Sequence, residues 1–367
     1  MSVEKRYKIC AGIDFQKEVP NVCFWAAQMK EPEPLSLDFS GCTDHKGCFR
    51  KILSALKRYE EKDKICAAII LPDLSPQEIS QYERDACEAG FLPEQLLILG
   101  EEECLAHFVM HQSNDIWQHQ VWYLEFGTEE IKARMIQVNK RSRPMLVQVL
   151  PPAYWYVGSL ESRERDDRLL EAVRENIVNN QVSAVFVTGT DLNENDYKKS
   201  REALCSRRRV FLGEQITARG ACMVAREKEQ NKPYLFLNEQ TLLYNLGVAG
   251  IQEGEEITYT IVRAGCNWYE AKKSCEVILQ GDAALDFSFC PMSGGEAIHK
   301  EMILTDFPTR PNGATRLLLE VCFHSPLQCE IKVTDLGFGE MYPASELCWT
   351  ESYRIGEEEE DGTGYAL

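Results

Sequence analysis

Two carboxylates stand at the ends of apolar runs: Asp14 in Gly12-Ile13-Asp14-Phe15-Gln16-Lys17, and Glu125 in Leu124-Glu125-Phe126-Gly127-Thr128-Glu129. Acids so placed, if they face one cleft, can hold hydrated Mg²⁺ and orient an attacking water. Each segment reads as a hairpin, the kind of turn whose backbone N–H groups cradle phosphate. Gly127 and Thr128 suit a phosphate-facing turn because glycine lets the backbone approach an anion. A strand-end acid followed by phenylalanine and a turn also arises by chance, so these residues alone leave catalysis and plain structure both open. Gly189, in Val187-Thr188-Gly189-Thr190-Asp191, can leave room for an adenine or ribose at a strand end or can be a simple turn glycine. Gly220 lies inside a helical pattern, where glycine costs about 1 kcal/mol relative to alanine, and close packing of a helix or a ligand would offset that cost.

The elements that must position these residues alternate between apolar β-rich runs and helices over the first 227 residues, the pattern of an α/β domain. The expected strands are one ending near Ile13, then Val22 to Ala27, Leu35 to Phe39, Ile65 to Leu71 and Leu96 to Leu99. Ile65 to Leu71 is almost wholly apolar, as a strand covered on both faces must be. Helices are expected from Lys46 to Tyr59, after the Ser75-Pro76-Gln77-Glu78 capping sequence up to Gly90, and from Glu101 to Met110. The same programme then recurs. Strands Val121 to Phe126, Ile131 to Val138 and Met145 to Leu150 precede a helix from Arg165 to Asn179 and strand Ala184 to Thr188. A helix opened by Asn193, strand Val210 to Leu212 and helix Glu214 to Arg226 complete it. LPDLSPQE from Leu71 matches VTGTDLNE from Val187, and LGEEECLAHF from Leu99 matches LGEQITARGA from Leu212. Repeats in the same order imply two similar lobes with a cleft between them.

After Asn231-Lys232-Pro233 the helical periodicity stops. Thr258 to Val262, Cys275 to Leu279, Ala284 to Phe289, Leu317 to Phe323 and Glu330 to Val333 read as short strands, so a β-sandwich is expected. The expected organisation is a first lobe over 1–115, a trimmed second lobe over 116–229, a β-sandwich over 230–350 and an acidic, disordered tail over 351–367.

The 367 residues carry 58 Asp and Glu against 40 Lys and Arg, a net charge of -18. That balance disfavours nucleic acid and anionic membranes as partners, and the short Arg207-Arg208-Arg209 run does not override it. Fifteen scattered cysteines, without a C-x-x-C pair, read as reduced thiols in apolar positions. No signal-like segment opens the sequence and no apolar run is long enough to span a bilayer, so a cytoplasmic location is expected. His107 and His111 lie one helical turn apart beyond Glu103, too few ligands for a metal site. Cys322 and Cys329 bracket a hairpin and can face each other as a buried thiol pair.

The motifs together resemble the actin-like ATPase superfamily, a duplicated ribonuclease-H-like α/β core, and within it the seventy-kilodalton heat-shock chaperones. Gly12-Ile13-Asp14-Phe15 resembles the opening of their first phosphate motif, G-I-D-L-G-T-T-N-S, and departs at Gln16-Lys17-Glu18. Glu125-Phe126-Gly127-Thr128 resembles D-L-G-G-G-T with two residues deleted; without the gap, Tyr123 takes the aspartate's place. Val187 to Asp191 resembles the adenosine motif V-G-G-S-x-R-I-P, and Arg219-Gly220-Ala221-Cys222 the closing Y-G-A-A helix. Leu317 to Glu340 is similar to two strands of the chaperones' substrate-binding β domain. The resemblance implies a divergent, bacterial relative without the helical lid. It implies Asp14 and Glu125 in the catalytic positions, Gly12, Gly127, Thr128, Gly189 and Gly220 around a nucleotide, and ATP or ADP with Mg²⁺ if a cofactor binds at all. The eroded phosphate loops imply a chaperone-like module that binds a protein or peptide segment. An active Mg-dependent ATPase and an actin-like structural or regulatory assembly protein are the alternatives.

Overall fold

The computed structural model describes residues 7–158, 162–189, 197–227, 233–252 and 254–356. It forms two compact units, Met1–Asn238 and Glu239–Leu367.

In the first unit, β1 (Ile9–Asp14), β2 (Asn21–Ala26), β3 (Glu33–Pro34), β4 (Ile65–Ile70) and β5 (Leu96–Leu99) form one sheet in the order β3-β2-β1-β4-β5. β1 runs antiparallel to β2 and parallel to β4, which runs parallel to β5. Every residue of β1 and β4 is buried, as strands flanked by helices on both faces require. The helices are α1 (His45–Leu56), α2 (Pro76–Ala89) and α3 (Glu101–Met110). Ser75 caps α2, accepting from Glu78 N at 3.4 Å, and Gly90 ends that helix in the left-handed conformation.

The second sheet contains β6 (Gln120–Phe126), β7 (Glu130–Asn139), β8 (Met145–Val149), β9 (Ala153–Tyr156), β10 (Val182–Gly189), β11 (Arg209–Leu212) and β12 (Tyr234–Leu237). Its order is β11-β10-β6-β7-β8-β12, with β9 paired to β7. Taken as β6, β7, β8, β10 and β11, its strands repeat the order and senses of the first sheet: antiparallel from first to second, parallel from first to fourth and fourth to fifth. The accompanying helices are α4 (Ser162–Val173), which continues as a π turn over Arg174–Val178, α5 (Lys198–Cys205) and α6 (Ile216–Glu227).

The last helix of each half covers the sheet of the other. α6 packs Ala221, Val224 and Ala225 against Cys10, Cys66 and Ile70 of the first sheet. α3 packs Leu105, Ala106 and Val109 into the core formed by Val121, Ile136 and Val147 of the second. Small residues on α6 let it approach closely, and the two halves are thereby joined through their cores.

The second unit holds two antiparallel four-stranded sheets. β13 (Tyr244–Gln252), β14 (Glu255–Val262), β16 (Ala284–Pro291) and β17 (Ile298–Ile303) form one, in the order β14-β13-β16-β17. β15 (Lys273–Ile278), β18 (Arg316–Ser325), β19 (Gln328–Gly337) and β20 (Cys348–Arg354) form the other in sequence order. Along β18, Leu317, Leu319, Val321 and Phe323 are buried in strict alternation, as are Cys329, Ile331 and Val333 on β19. Tyr353 of β20 packs 6.2 Å from the rings of both Phe287 and Phe289 of β16, which joins the inner faces of the two sheets.

Several expectations are corrected. The third strand is the short Glu33–Pro34 rather than Leu35 to Phe39, because Pro34 and the polar residues around it leave little ladder to form. β12 adds to the core sheet beside β8, so the α/β unit runs to Asn238 rather than ending at 229. β20 runs through the boundary expected at 350, held by its ladder to β19. Cys322 lies opposite Glu330 and Cys329 opposite Phe323, so the two thiols point to opposite faces of their sheet instead of toward each other. The helix start expected at Asn193 lies outside the described residues.

Candidate functional site

Asp14 is the last residue of β1, and Glu125 the last but one of β6, its counterpart in the second half. Asp14 is buried; it accepts from Gln16 N at 3.0 Å and from the hydroxyl of Thr217 in the first turn of α6. Lys17, just past β1, reaches across to Glu125 at 2.9 Å. Lys132, opposite Glu125 on β7, turns instead to Glu101 at 2.6 Å. Arg134, two residues further, donates from Nη2 to Glu101 at 2.6 Å and places Nη1 2.7 Å from Glu102. Glu101 and Glu102 occupy the first turn of α3, where the helix dipole favours negative charge. The ends of β1 and β6 are thus crossed by ion pairs within the protein.

The two buried carboxyls respond in opposite directions. Burial raises Glu101, but the charges of Arg134 and Lys132 and the hydrogen bonds from Lys132 and the Gln16 side chain outweigh it, so its carboxyl sits below the ordinary range. Burial likewise raises Asp14; its bonds to Thr217 and Gln16 pull back, and the negative charges of Glu101 and Glu125 add to the rise. A raised folded-state value means that Asp14 stabilises the fold most at low pH, and that this contribution is lost as pH climbs from the unfolded value, about 3.9, through the folded one. Asp14→Asn removes the charge and can keep both hydrogen bonds. It is expected to stabilise the protein at pH 7 by on the order of 1 kcal/mol, the usual scale of single-site effects. Urea unfolding at neutral and acidic pH checks this: the advantage should vanish toward pH 4, and a variant less stable than the parent at neutral pH would contradict it.

The expected nucleotide glycines sit in tight protein packing. A Cβ on Gly12 would lie 2.0 Å from Ala218 O on α6, and one on Gly220 would lie 2.0 Å from Cys104 O on α3. Gly189 has φ of +129°, which an L side chain rarely adopts, and a Cβ there would meet Phe126 O at 2.2 Å. Gly127 closes the β6–β7 hairpin by donating to Glu130 O at 3.0 Å. Thr128 is exposed, and its carbonyl accepts from Arg165 Nη2 at 2.8 Å. Tyr123 is buried opposite Arg134.

The structure therefore brings Asp14, Glu125 and the hairpin turns to one end of the core, while Gly12 and Gly220 serve the contacts of α6. Sequence reasoning passed over Glu101, Lys132, Arg134 and Thr217. A signal for the first existed in the repeated Leu-Gly-Glu, and for the next two in cations at alternate positions of an inner strand, on the face that also carries Glu125. His107 Nδ1 meets Tyr234 Oη at 2.9 Å, and His111 Nδ1 lies 3.3 Å from Glu227. Among the described residues, no group of three His, Cys, Asp or Glu side chains is arranged to hold a metal. No described helix is long and apolar enough to cross a membrane.

The described residues thus form an α/β unit followed by a β-rich second unit. A family model described as "Family of unknown function (DUF5716) C-terminal" matches residues 46–239, more than half of the chain, and the protein belongs to this family. "Domain of unknown function (DUF8552)" matches residues 241–355, so the two matches meet where the compact units divide. No curated protein matches the chain. Among solved structures, the chain is similar to an inorganic polyphosphate/ATP-glucomannokinase from Arthrobacter sp. strain KM, with 10% identity and a TM-score of 0.39 over 60% of this chain and 99% of that one. It is similar to YeaZ from Pseudomonas aeruginosa, with 9% identity and a TM-score of 0.33 over 59% and 90%. A Bacteroides thetaiotaomicron protein described as having an actin-like ATPase fold and unknown function gives 9% identity and a TM-score of 0.32 over 61% and 97%.

Proposed function

We propose that this protein is a non-hydrolysing member of the actin-like class, a duplicated core with a β-sandwich appended, that works by binding a protein or peptide segment. The observation that carries the reading is the set of ion pairs at the ends of β1 and β6. Lys17, Lys132 and Arg134 are the cations that would meet a nucleotide's phosphates, and each is committed to Glu125, Glu101 or Glu102. Polyphosphate entering there would have to break these pairs and then face the released carboxylates, with Asp14 behind them. Losing one partner of the buried Arg134–Glu101 pair costs several kcal/mol. A chaperone-like use of the β-sandwich and a regulatory role in assembly are both compatible with such a core.

An active Mg-dependent ATPase is the second reading. It rests on the two strand-end acids, Asp14 at the end of β1 and Glu125 near the end of β6, the residue types that hydrated Mg²⁺ and an attacking water would need. Isothermal titration of the full chain with ATP and with ADP, with and without Mg²⁺, separates the two. No heat of binding at millimolar nucleotide is the expected result. Magnesium-dependent binding followed by phosphate release that Asp14→Ala abolishes would replace the first reading by the second.

A further inference from the structure

The end of the second sheet away from Glu125 gathers positive charge. β6, β10 and β11 are parallel and begin there, at Gln120, Val182 and Arg209, and the antiparallel β7 ends there at Asn139. Glu125 stands about 17 Å off, at the far end of β6. Two turns carry the charge. The turn from β7 to β8 holds Lys140, Arg141 and Arg143, all exposed, and the turn from α5 into β11 holds Arg207, Arg208 and Arg209. The first is shaped by its own hydrogen bonds, with Arg141 N donating to Asn139 Oδ1 at 3.0 Å and Arg143 Nη1 to Lys140 O at 2.9 Å. The loop leading into β6 ties the two turns together, since Lys140 Nζ lies 4.6 Å over the Trp117 ring and Arg209 pairs with Asp115 at 2.5 Å. Asp115 is thereby taken. Among the described residues, no carboxylate comes within ion-pair distance of Arg141, Arg143, Arg207 or Arg208. Arg208 is half-buried, and its Nε and Nη1 are enclosed without an acceptor. A guanidinium so enclosed is screened less than one in open water, and its charge is unanswered within the protein.

We infer that this basic end is a docking surface for an acidic protein segment, with Arg141, Arg143 and Arg207 meeting its carboxylates and Arg208 adding to the field beneath them. The inference rests on the reading above that the protein binds a protein segment, and it gives that segment a chemistry and a place. The span fits. Three strand spacings separate β11 from β7, about 14 Å, which four or five extended residues cover. Guanidinium groups take carboxylates through two parallel N–H···O bonds, so arginines on two turns suit acids spaced along one segment. The surroundings of the patch disfavour nucleic acid. Taking these six cations from the chain's net charge of -18 leaves -24 for the rest. That field repels a long polyanion running past the patch, whereas a short acidic segment ends within it.

The test titrates the full chain against a fluorescein-labelled polyglutamate peptide at low salt, followed by anisotropy. A second chain, with Glu357 to Glu360 replaced by glutamine, runs in parallel so that the protein's own acid run cannot mask the surface. Saturable binding is expected, weakened about tenfold or more by Arg141→Glu with Arg143→Glu, and likewise by Arg207→Glu. Lys272→Glu, at an exposed lysine of the β unit, should leave it unchanged. Circular dichroism checks that each variant keeps its fold. Absence of binding to both chains, or binding indifferent to the turn variants, would overturn the inference. So would an oligothymidylate that binds through the same arginines more tightly than the peptide. These outcomes leave the nucleotide titration untouched, so the surface and the reading beneath it fail separately.

Discussion

Gly220→Ala is expected to destabilise the α/β unit by about 3 kcal/mol or more, the upper range for overpacking a tight core. Helix propensity alone predicts the opposite, a gain of about 1 kcal/mol for replacing a mid-helix glycine. Packing wins because the new methyl would stand 2.0 Å from Cys104 O, 2.7 Å from its carbonyl carbon and 3.1 Å from its Cα. These are backbone atoms of α3, so no side-chain rotation relieves the clash. Only separation of α6 from α3 would, and those helices carry the cores of both sheets. Gly12→Ala makes the same demand through Ala218 O and should behave alike. Urea unfolding followed by circular dichroism reads the effect. A midpoint raised in either variant would show that α6 does not lie where the structure puts it.

Much of the first unit was legible because its local and long-range signals agree. The ICAAII run of β4 can only be a strand covered on both faces, and Ser75-Pro76 with Glu78 can hardly begin anything but a helix. The repeated Leu-Gly-Glu located the starts of α3 and α6, although it could not reveal that these helices exchange sheets. Exchange is a tertiary arrangement, and its sequence trace is only a set of small residues, Ala218, Gly220, Ala221 and Cys222, whose common role depends on what lies opposite.

The elements that escaped share a different cause. β9 follows Pro151-Pro152 and β12 follows Pro233, so both read as loop until a neighbouring strand supplies the ladder. β13 carries Gly247 and Gly250, and β17 mixes His299, Lys300 and Glu301 into its pattern. At this end of the core, the acids were visible because each stands at the end of an apolar strand run. Their cationic partners were not, because pairing a β7 residue with the first turn of α3 requires both sheets to be assembled. The residues that decide between an open phosphate site and a neutralised one were thus those that no local pattern marks.

Arg310→Met is expected to cost about 3–5 kcal/mol in the β unit, the range for stranding one partner of a buried ion pair. Arg310 grips Asp335 with two bonds of 2.8 Å, and also donates to Pro343 O at 2.8 Å and to Thr315 Oγ1 at 3.3 Å. Asp335, only 1% exposed, further accepts from Gly337 N at 2.8 Å, Ser345 N at 2.9 Å and Ser345 Oγ at 2.6 Å. Burial pushes its carboxyl upward, but these donors outweigh burial and hold it well below the usual range. A depressed folded-state value stabilises the fold above the unfolded value, about 3.9, and that stabilisation is lost as pH falls through the folded one. The parent should therefore weaken on acidification below pH 4. Arg310→Met should weaken less over the same range, because its carboxylate, no longer held down by the guanidinium, can take up a proton where it stands. The deficit between the two is thus largest near neutrality and shrinks in acid. Urea midpoints by tryptophan fluorescence across that range test this, and a deficit independent of pH would mean that Arg310 acts through packing rather than charge. The double variant Arg310→Met, Asp335→Leu should recover part of the loss, since it removes the stranded carboxylate while leaving the donors of Gly337 and Ser345 unmet.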